Sequence, residues 1–471
     1  MFLNHPTQTI VNKRKRKCDE CKKIRNIYEN RQTCQMCYNI TTLVKPKSSG
    51  NKVIDDFITH TQRNYIRSDG KLEFVPHDRF KDIEFIAEGG FSKIYKATWV
   101  DGPINWHGIE RENWSFFRLK YNNTVVLKNL NNSKNITPKE LNELKLFYRI
   151  FSNRKINASY VSTYLGLTQD PITKDIMIIM PYYNRGDLIR FLSNNFYNLD
   201  WNYKLLKLST ILLGLQSIHS AHIIHRDLHS GNIFFDNIFI YVGDLGISKS
   251  ATESTDSIEN YGIIPYMAPE IFQGQKYTEA SDIYSFGMIM WEFMTGRRPF
   301  WNRVHDAELI IEICDGLRPP IVTNAPEGYI ELMKDCWNSD PNKRPEATDI
   351  YNRINRINGY NCEIKKSSEI GPVTTNNPGA IYKSRPLSDM IQSAMSTRSL
   401  RSQFITAEVG IKRKFEDNQT KTRFDEEKIN KKIRLIENES NVYIKQEFEL
   451  DIDINSIDDE RYISQEIDFD I

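Results

Sequence analysis

Residues 225–232 of this chain read His-Arg-Asp-Leu-His-Ser-Gly-Asn, and residues 244–246 read Asp-Leu-Gly. The two segments supply two carboxylates and an amide, at Asp227, Asp244 and Asn232. Phosphoryl transfer needs a carboxylate that accepts the proton of the attacking hydroxyl, and hard oxygen ligands that hold Mg²⁺ against a triphosphate. The segments therefore predict a phosphoryl-transfer site, with Asp227 as the base and Asn232 and Asp244 as magnesium ligands.

The same two segments resemble the catalytic loop and the metal-binding motif of protein kinases. Upstream, residues 125–128 (Val-Val-Leu-Lys) resemble the kinase strand whose lysine contacts the α- and β-phosphates. Glu143 resembles the helix glutamate that forms a salt bridge with that lysine. The catalytic set that the resemblance implies comprises Lys128, Glu143, Asp227, Asn232 and Asp244. The implied activity is that of an ATP-dependent protein kinase in intracellular signal transduction, with a protein substrate.

A loop with few glycines precedes these motifs. Residues 86–97 resemble the kinase loop that covers the phosphates, but Ala87 and Ser92 stand at the first and third glycine positions. Alone, Gly89 and Gly90 favour an ordinary hairpin. Residues 178–183 resemble the strand and hinge beside adenine. The residues expected to contact ATP are Ile86, Ala87, Glu88, Gly89, Gly90, Phe91, Ser92, Ile94, Lys128, Met180, Pro181 and Tyr183.

Hydrophobic periodicity predicts an α+β fold. Short strand-like runs at residues 83–86, 125–127 and 176–180 precede longer helical patterns at residues 203–219 and 282–295. A strand-rich part followed by a helix-rich part is typical of a two-lobed enzyme. With the resemblance, this predicts a small β-rich N-lobe and a larger helical C-lobe.

Composition divides the chain into four regions. Residues 1–50 hold a four-cysteine module and a linker, and residues 51–79 hold a helix, capped at Asn51, that leads into the next domain. Residues 80–357 resemble the kinase domain. Residues 358–471 lose the hydrophobic pattern and end in a strongly acidic stretch, which predicts a disordered tail.

The resemblance also implies two buried contacts in the helical lobe. Glu270, in Ala-Pro-Glu at residues 268–270, is expected to form an ion pair with Arg344. Asp282 is expected to hold the backbone of the catalytic loop. Removing one partner of such a buried pair is costly, because the other charge is left buried without compensation.

Two positions depart from the kinase pattern. His229 stands where serine/threonine kinases usually have lysine, and Ile263 stands where they usually have threonine. These positions normally meet the base and the γ-phosphate, so the departures favour an ATP-binding pseudokinase scaffold as the alternative function. Cys336-Trp337 resembles the tyrosine-kinase-like group. The pattern of residues 262–270 and the N-terminal cysteines resemble the expanded kinase family of arbuscular mycorrhizal fungi. We expect a serine/threonine rather than a tyrosine preference.

Four of the seven cysteines form two Cys-x-x-Cys pairs, Cys18/Cys21 and Cys34/Cys37. Two such pairs offer four thiolates for a tetrahedral ion and predict a structural zinc module. Free cysteines in a disordered arm are the alternative for this segment. A zinc-dependent adaptor, in which the module binds a partner and the kinase domain is secondary, is a third function class.

Composition and charge exclude several other classes. The net charge of +2 excludes a general polyanion binder, and no apolar run is long enough for a membrane span. The basic run at residues 13–17 is read first as a solvated face, with nuclear import as an alternative. Only Tyr28 and Tyr38 lie near it, so no nucleic-acid recognition is expected. Few cysteines and no secretion signal predict an intracellular, cytoplasmic protein, and nuclear if the basic run directs import. The oligomeric state stays open.

Overall fold

The computed structural model describes residues 13–416 with short gaps. The gaps are residues 65–69, 91, 107–117, 119–122, 135–140, 154, 238, 247, 251–259, 323–324, 361, 363 and 365. The chain divides into two compact units, residues 1–395 and 396–471. All the elements that form the site lie in the first unit.

The small lobe is built on one six-stranded sheet. Its strands are β3 (Glu73–Phe74), β4 (Phe80–Glu88), β5 (Ser92–Trp99), β6 (Thr124–Leu130), β7 (Gly166–Gln169) and β8 (Ile176–Pro181). The strand order is β3-β7-β8-β6-β5-β4, antiparallel except for β3 with β7. The strands expected at residues 83–86, 125–127 and 176–180 are therefore confirmed.

Alternation along β6 directs Lys128 to the face opposite the small core of this lobe. Val125 and Leu127 are buried in one cluster with Phe80 and Trp99. Because successive side chains of a strand point to opposite faces, Lys128 projects from the other side of the sheet. Helix α3 (Asn142–Ser152) carries Glu143 and buries one apolar face. The sequence also predicts that this helix begins at Thr137-Pro138, and these two residues lie outside the described residues.

The large lobe is helical. It contains α4 (Leu188–Asn195), α5 (Trp201–Ser220), α6 (Pro269–Phe272), α7 (Glu279–Thr295), α8 (Ala307–Cys314), α9 (Tyr329–Cys336) and α10 (Ala347–Ile354). Helices α5 and α7, confirmed near residues 203–219 and 282–295, are largely buried. In the described part of the chain, no helix has the length and hydropathy needed to cross a bilayer.

Short paired strands flank the segments 225–232 and 244–246. They are β9 (Ile223–Ile224), β10 (Ile233–Phe235), β11 (Ile240–Val242), β12 (Lys249–Ser250) and β13 (Tyr261–Gly262). Strand β10 pairs with β11, and β12 pairs with β9. Segment 225–232 therefore follows β9 and segment 244–246 follows β11, and both of these strands are paired.

The N-terminal region precedes the sheet and contacts the chain just before its first strand, since Thr61 and Gln62 bond to the backbone of Leu72. It contains β1 (Lys13–Lys17), β2 (Ile24–Tyr28), α1 (Gln35–Asn39) and α2 (Lys52–Asn64). Asn51 caps α2 by accepting from the Val53 N–H at 2.9 Å, as predicted. Helix α2 packs on α3, where the rings of Phe57 and Tyr148 lie 6.3 Å apart. The N-terminal helix thus contacts the helix that carries Glu143.

The disorder expected for residues 358–471 is not confirmed for the described part of that region. Strand β14 (Arg385–Pro386) pairs with β13, and helix α11 (Ser388–Glu416) follows. Leu387, Ile391 and Ala394 are buried at 7% exposure or less. Three apolar residues at helical spacing hold the segment in place, although its overall composition is polar. Residues 417–471 lie outside the described residues.

Candidate active site

Lys128 lies at the centre of the ion-pair network. Its Nζ donates to Glu143 Oε1 at 3.0 Å and Oε2 at 3.2 Å, and to Asp244 Oδ1 at 2.6 Å. Burial alone would lower the pKa of Lys128, but Asp244 and Glu143 raise it above the ordinary lysine value. Two carboxylates from separate segments, Glu143 and Asp244, therefore converge on the Lys128 ammonium, and all three residues were predicted from sequence.

Tyr164 completes this network and was missed by sequence reasoning. Its hydroxyl donates to Glu143 Oε1 at 2.6 Å, and its ring stacks on Phe147 with centroids 4.6 Å apart. The hydroxyl thus gives Glu143 a second side-chain partner on the oxygen that also accepts from Lys128. No motif marks this position, because the contact joins an irregular segment to the first turn of α3.

Asp244 occupies a strained backbone position. Its φ is 60°, a left-handed value that non-glycine residues seldom adopt, and Arg226 has a φ of 69°. Such strain persists where the surrounding structure imposes it and is common at functional sites. Burial alone would raise the pKa of the Asp244 carboxyl, but Lys128 lowers it below the ordinary aspartate value. The carboxylate is therefore ionised at neutral pH and suited to a cation.

The catalytic loop is held by Asp282 of α7. Asp282 accepts from the backbone N–H groups of His225, at 2.8 Å, and Arg226, at 2.9 Å. His219 contacts the same carboxylate through Nε2 at 2.8 Å. The role expected of Asp282 is thus seen in the geometry, and it explains how the segment that precedes Asp227 keeps its shape.

Asp227 and Asn232 are joined within the loop. The Asn232 side-chain nitrogen donates to the Asp227 carbonyl at 2.9 Å, so its oxygen remains the atom that can face a cation. Together with the Asp244 carboxylate, this oxygen makes a hard donor pair, which is the chemistry that Mg²⁺ prefers. The residues present therefore fit the metal that the sequence implies.

His229 faces Asp227 in the position expected for lysine. Its Nε2 lies 3.7 Å from Asp227 Oδ2, and its Nδ1 accepts from the Gly231 N–H at 3.1 Å. In the neutral ring this contact leaves the proton on Nε2, directed at the carboxylate; protonation places a second proton on Nδ1, which then no longer accepts from the Gly231 N–H. Burial alone would lower the pKa of His229, but the Asp227 carboxylate raises it above the ordinary histidine value. When protonated, His229 therefore places a positive charge beside Asp227.

The residues expected to contact ATP lie on the β4–β5 hairpin, on β6 and at the end of β8. The hairpin closes where the Gly89 N–H donates to the Ser92 carbonyl at 2.7 Å. Met180 is buried and Pro181 half-buried at the end of β8. The Tyr183 ring packs against the rings of Phe234 and Tyr241. Phe91 lies outside the described residues.

A family model described as protein tyrosine and serine/threonine kinase matches residues 80–354, more than half of the 471-residue chain. The chain belongs to the protein kinase family. The β-sheet small lobe and helical large lobe agree with that membership. The match does not assign the chain to the tyrosine-kinase-like group or to the mycorrhizal family within the protein kinases.

The kinase is similar to several proteins of Dictyostelium discoideum. Stress-activated protein kinase alpha is 28% identical over 316 residues, which cover 64% of this chain and 45% of that protein. Cyclic GMP-binding protein C is 29% identical over 312 residues, covering 60% and 11%. A probable serine/threonine-protein kinase is 27% identical over 310 residues, covering 62% and 31%. The chain spans less than half of the length of each of these relatives.

In the kinase, the predicted pair of Glu270 and Arg344 is bidentate and buried. The guanidinium donates to Oε1 at 2.6 Å and to Oε2 at 2.7 Å, and the two side chains are 4% and 0% exposed. Arg344 also donates to the carbonyls of Ala280 and Asn338. The pair ties the end of the segment after Asp244 to the rest of the large lobe.

The four N-terminal cysteines of the kinase form one cluster. The sulfurs of Cys18, Cys21, Cys34 and Cys37 all lie within 4.8 Å of one another. A tetrahedral zinc with Zn–S bonds of about 2.3 Å separates its sulfurs by about 3.8 Å, so the spacing fits this ion. A hydrogen bond from Cys37 lowers the pKa of Cys34 to about 5. All seven cysteines are free thiols.

Proposed function

We propose that this kinase transfers the γ-phosphoryl group of Mg-ATP to a serine or threonine hydroxyl of a protein substrate in a signalling pathway. The observation that carries the proposal is the contact of one buried ammonium, Lys128, with both Glu143 and Asp244. This contact places the expected phosphate-binding cation beside the expected metal-binding carboxylate. A serine/threonine preference is supported by the similarity to relatives that carry that description.

Each residue has a distinct task in this proposal. Lys128, held by Glu143, binds and orients the α- and β-phosphates. Asn232 and Asp244 would hold Mg²⁺, which when bound neutralises charge on the triphosphate. Asp227 accepts the proton of the acceptor hydroxyl as the oxygen attacks phosphorus.

The nucleotide is proposed to lie between the β4–β5 hairpin and the end of β8. Residues 86–94 would cover the phosphates, with Gly89 and Gly90 allowing the closest backbone approach. Met180 would pack beside adenine. The Pro181 carbonyl and the Tyr183 N–H would make the two polar contacts, since proline offers only an acceptor.

His229 is proposed to replace the usual lysine as the positive group beside the base. Its ring proton points at Asp227 from 3.7 Å, and the Asp227 carboxylate favours its protonated form. The charge orients the base and offsets negative charge near the transferred phosphoryl group. His229 acts through Asp227 and is therefore a positioning residue.

A pseudokinase scaffold is the second candidate. It is favoured by Ile263, a buried apolar side chain that offers no hydroxyl where serine/threonine kinases usually have threonine. Such a protein would bind Mg-ATP without turnover. Stabilisation by Mg-ATP in a thermal shift, without phosphate transfer, would select this candidate.

The experiment for the proposed activity is incorporation of labelled γ-phosphate into a generic basic protein and into the chain itself. Asp227→Asn should reduce incorporation by at least about 100-fold, because it removes the base. Asp56→Asn, an exposed aspartate of α2, is the matched control and should retain full activity. The proposal fails if the wild type incorporates no phosphate and Asp227→Asn behaves identically.

The cysteine cluster is proposed to bind one structural zinc ion that folds residues 18–37. Support comes from the four converging sulfurs, since a segment of this size cannot bury a sufficient core of its own. We also propose that the chain works in a reducing intracellular compartment, where such thiols stay available for metal. Cys336-Trp337 supports placing the kinase in the tyrosine-kinase-like group.

A further inference from the structure

The C-terminal segment adds a strand to β13, which lies in the segment that follows Asp244. Strand β14 pairs antiparallel with β13, with Arg385 opposite Gly262 and Pro386 opposite Tyr261. The pairing continues where the Leu387 N–H donates to the Asn260 carbonyl at 2.8 Å. An extended peptide bound to an exposed strand edge in this way is a common mode of peptide recognition.

Side chains fasten this segment to the large lobe at both ends of the new strand. Arg385 donates to the His305 carbonyl at 2.7 Å, and the Tyr382 hydroxyl donates to the Pro299 carbonyl at 2.9 Å. The Arg298 guanidinium lies 4.1 Å from the centroid of the Tyr382 ring. Downstream, Leu387 is 1% exposed. Residues 382–387, hereafter the strap, are therefore held in one place.

Ser384 of the strap reaches the loop that is proposed to cover the phosphates. A Cβ added at Gly90 would lie 2.6 Å from the Ser384 carbonyl oxygen, closer than any side chain allows. Only glycine at position 90 permits this approach. The strap thus passes between the β4–β5 hairpin of the small lobe and β13 of the large lobe.

The Ser384 hydroxyl has no hydrogen-bond partner within the described part of the chain, although its oxygen is buried. A buried polar group without a partner destabilises the folded protein. Nothing in the packing of the strap requires a hydroxyl here. An unpartnered hydroxyl beneath a phosphate-covering loop suits an acceptor of a phosphoryl group.

We propose that the strap occupies, within its own molecule, the groove for the acceptor segment of a protein substrate, and that Ser384 is a site of intramolecular phosphorylation. The inference rests on the proposed kinase activity. A substrate must enter between the phosphate-covering loop and the segment that follows Asp244, which is where the strap lies. Its sequence, Tyr-Lys-Ser-Arg-Pro-Leu at residues 382–387, then indicates a serine followed by a basic residue as the substrate class.

The reaction is balanced with ATP as the phosphoryl donor. Ser384 Oγ attacks the γ-phosphorus, and a new Oγ–P bond forms. The bond between the γ-phosphorus and the oxygen that bridges it to the β-phosphate breaks, and its electron pair leaves with ADP. The hydroxyl proton passes to the Asp227 carboxylate and then to solvent.

The strap should also compete with other substrates. A tethered segment is present at an effective concentration in the millimolar range. An added peptide must displace it, so the wild type should show a high KM for that peptide. A substitution that weakens the docking of the strap, at a position outside the site of phosphoryl transfer, should lower this KM and leave kcat unchanged.

The test is to incubate the full chain with Mg-ATP and map phosphate by mass spectrometry. Ser384 should gain up to one phosphate per chain, with a first-order rate constant that stays the same over a 100-fold range of protein concentration. Ser384→Ala should lose this phosphate, and Ser367→Ala, upstream on the same C-terminal region, should retain it. A rate that rises with protein concentration, or no phosphate at Ser384, overturns the inference.

The Leu387→Ala variant tests the docking of the strap separately from the transfer of phosphate. It should slow phosphorylation of Ser384 and lower the KM for an added serine-arginine peptide at least fivefold. An unchanged KM overturns the inference. If the wild type phosphorylates a generic basic protein but leaves Ser384 unmodified, only the strap assignment fails. If no protein gains phosphate, the proposed kinase activity itself fails.

Discussion

Replacing His229 by lysine should move the alkaline limit of activity, because His229 supplies its charge only while protonated. Its Nε2 lies 3.7 Å from Asp227, and the two side chains are 12% and 13% exposed. Two unit charges at this distance interact by about 4 kcal/mol at an effective dielectric constant of about 20. Only the part of this interaction energy that differs between the ground state and the transition state changes the rate. We expect that part to be about 1.4–2.8 kcal/mol.

Whether activity is lost at low or at high pH follows from the direction in which the pKa of His229 is shifted. Asp227 raises the pKa of His229 above the ordinary value, so the charge is present at low pH and is lost as pH rises through the folded-state pKa. The kcat/KM of the wild type should therefore fall on the alkaline side by about 10- to 100-fold. His229→Lys should move this alkaline limb, the fall in kcat/KM, to higher pH, because lysine ordinarily titrates near 10.4, well above the range of histidine.

The assay is the pH dependence of kcat/KM with a peptide substrate and saturating Mg-ATP, since this ratio reports the groups of the free enzyme. His229→Ala should lose about 10- to 100-fold at neutral pH and should lack the limb. His222→Lys, at an exposed histidine, is the matched control and should follow the wild type. An identical alkaline limb in the wild type and His229→Lys would refute the reasoning.

Three other substitutions test the rest of the architecture. Arg344→Met should lower the free energy of unfolding in urea by about 3–5 kcal/mol, because it leaves the Glu270 carboxylate buried without its partner. Tyr164→Phe should lower kcat/KM by about tenfold, since Glu143 loses one of its two side-chain partners. Cys34→Ser should reduce bound zinc, measured by elemental analysis of the purified chain, from about one per chain to well below one.

Matched variants distinguish these effects from general damage. Arg353→Met breaks a pair with Asp335 whose side chains are 33% and 46% exposed, so it should cost less than about 1 kcal/mol. An equal loss in Arg344→Met would contradict the burial argument. Tyr160→Phe should leave kcat/KM unchanged, and Cys362→Ser should retain the zinc. Full zinc content in Cys34→Ser would rule out the four-sulfur site.

Several parts of the fold could be predicted because their signals are local. Alternating or helical periodicity located β4, β6, β8, α5 and α7. The helix after Asn51 was predicted from its cap and its apolar face. These features depend on residues a few positions apart, so a short window of sequence contains the necessary information.

The candidate site was predicted for a different reason. Lys128, Glu143 and Asp244 are far apart in sequence, and periodicity alone does not join them. Their grouping came from the resemblance of the motifs, and the structure shows them in contact. Their roles in catalysis stay predictions until activity is measured.

The amino-acid sequence alone determined the chemistry that the chain can offer: the carboxylates, the lysine, the four cysteines and the periodicity of the main elements. Only the tertiary structure showed that Tyr164 contacts Glu143, that His229 faces Asp227, and that the strap passes between the β4–β5 hairpin and β13. Such contacts join surfaces that form only after the chain has folded. Composition predicted disorder for residues 358–471, because a segment with few apolar residues cannot form a core alone. The large lobe supplies the missing surface, and Leu387, Ile391 and Ala394 are buried against it.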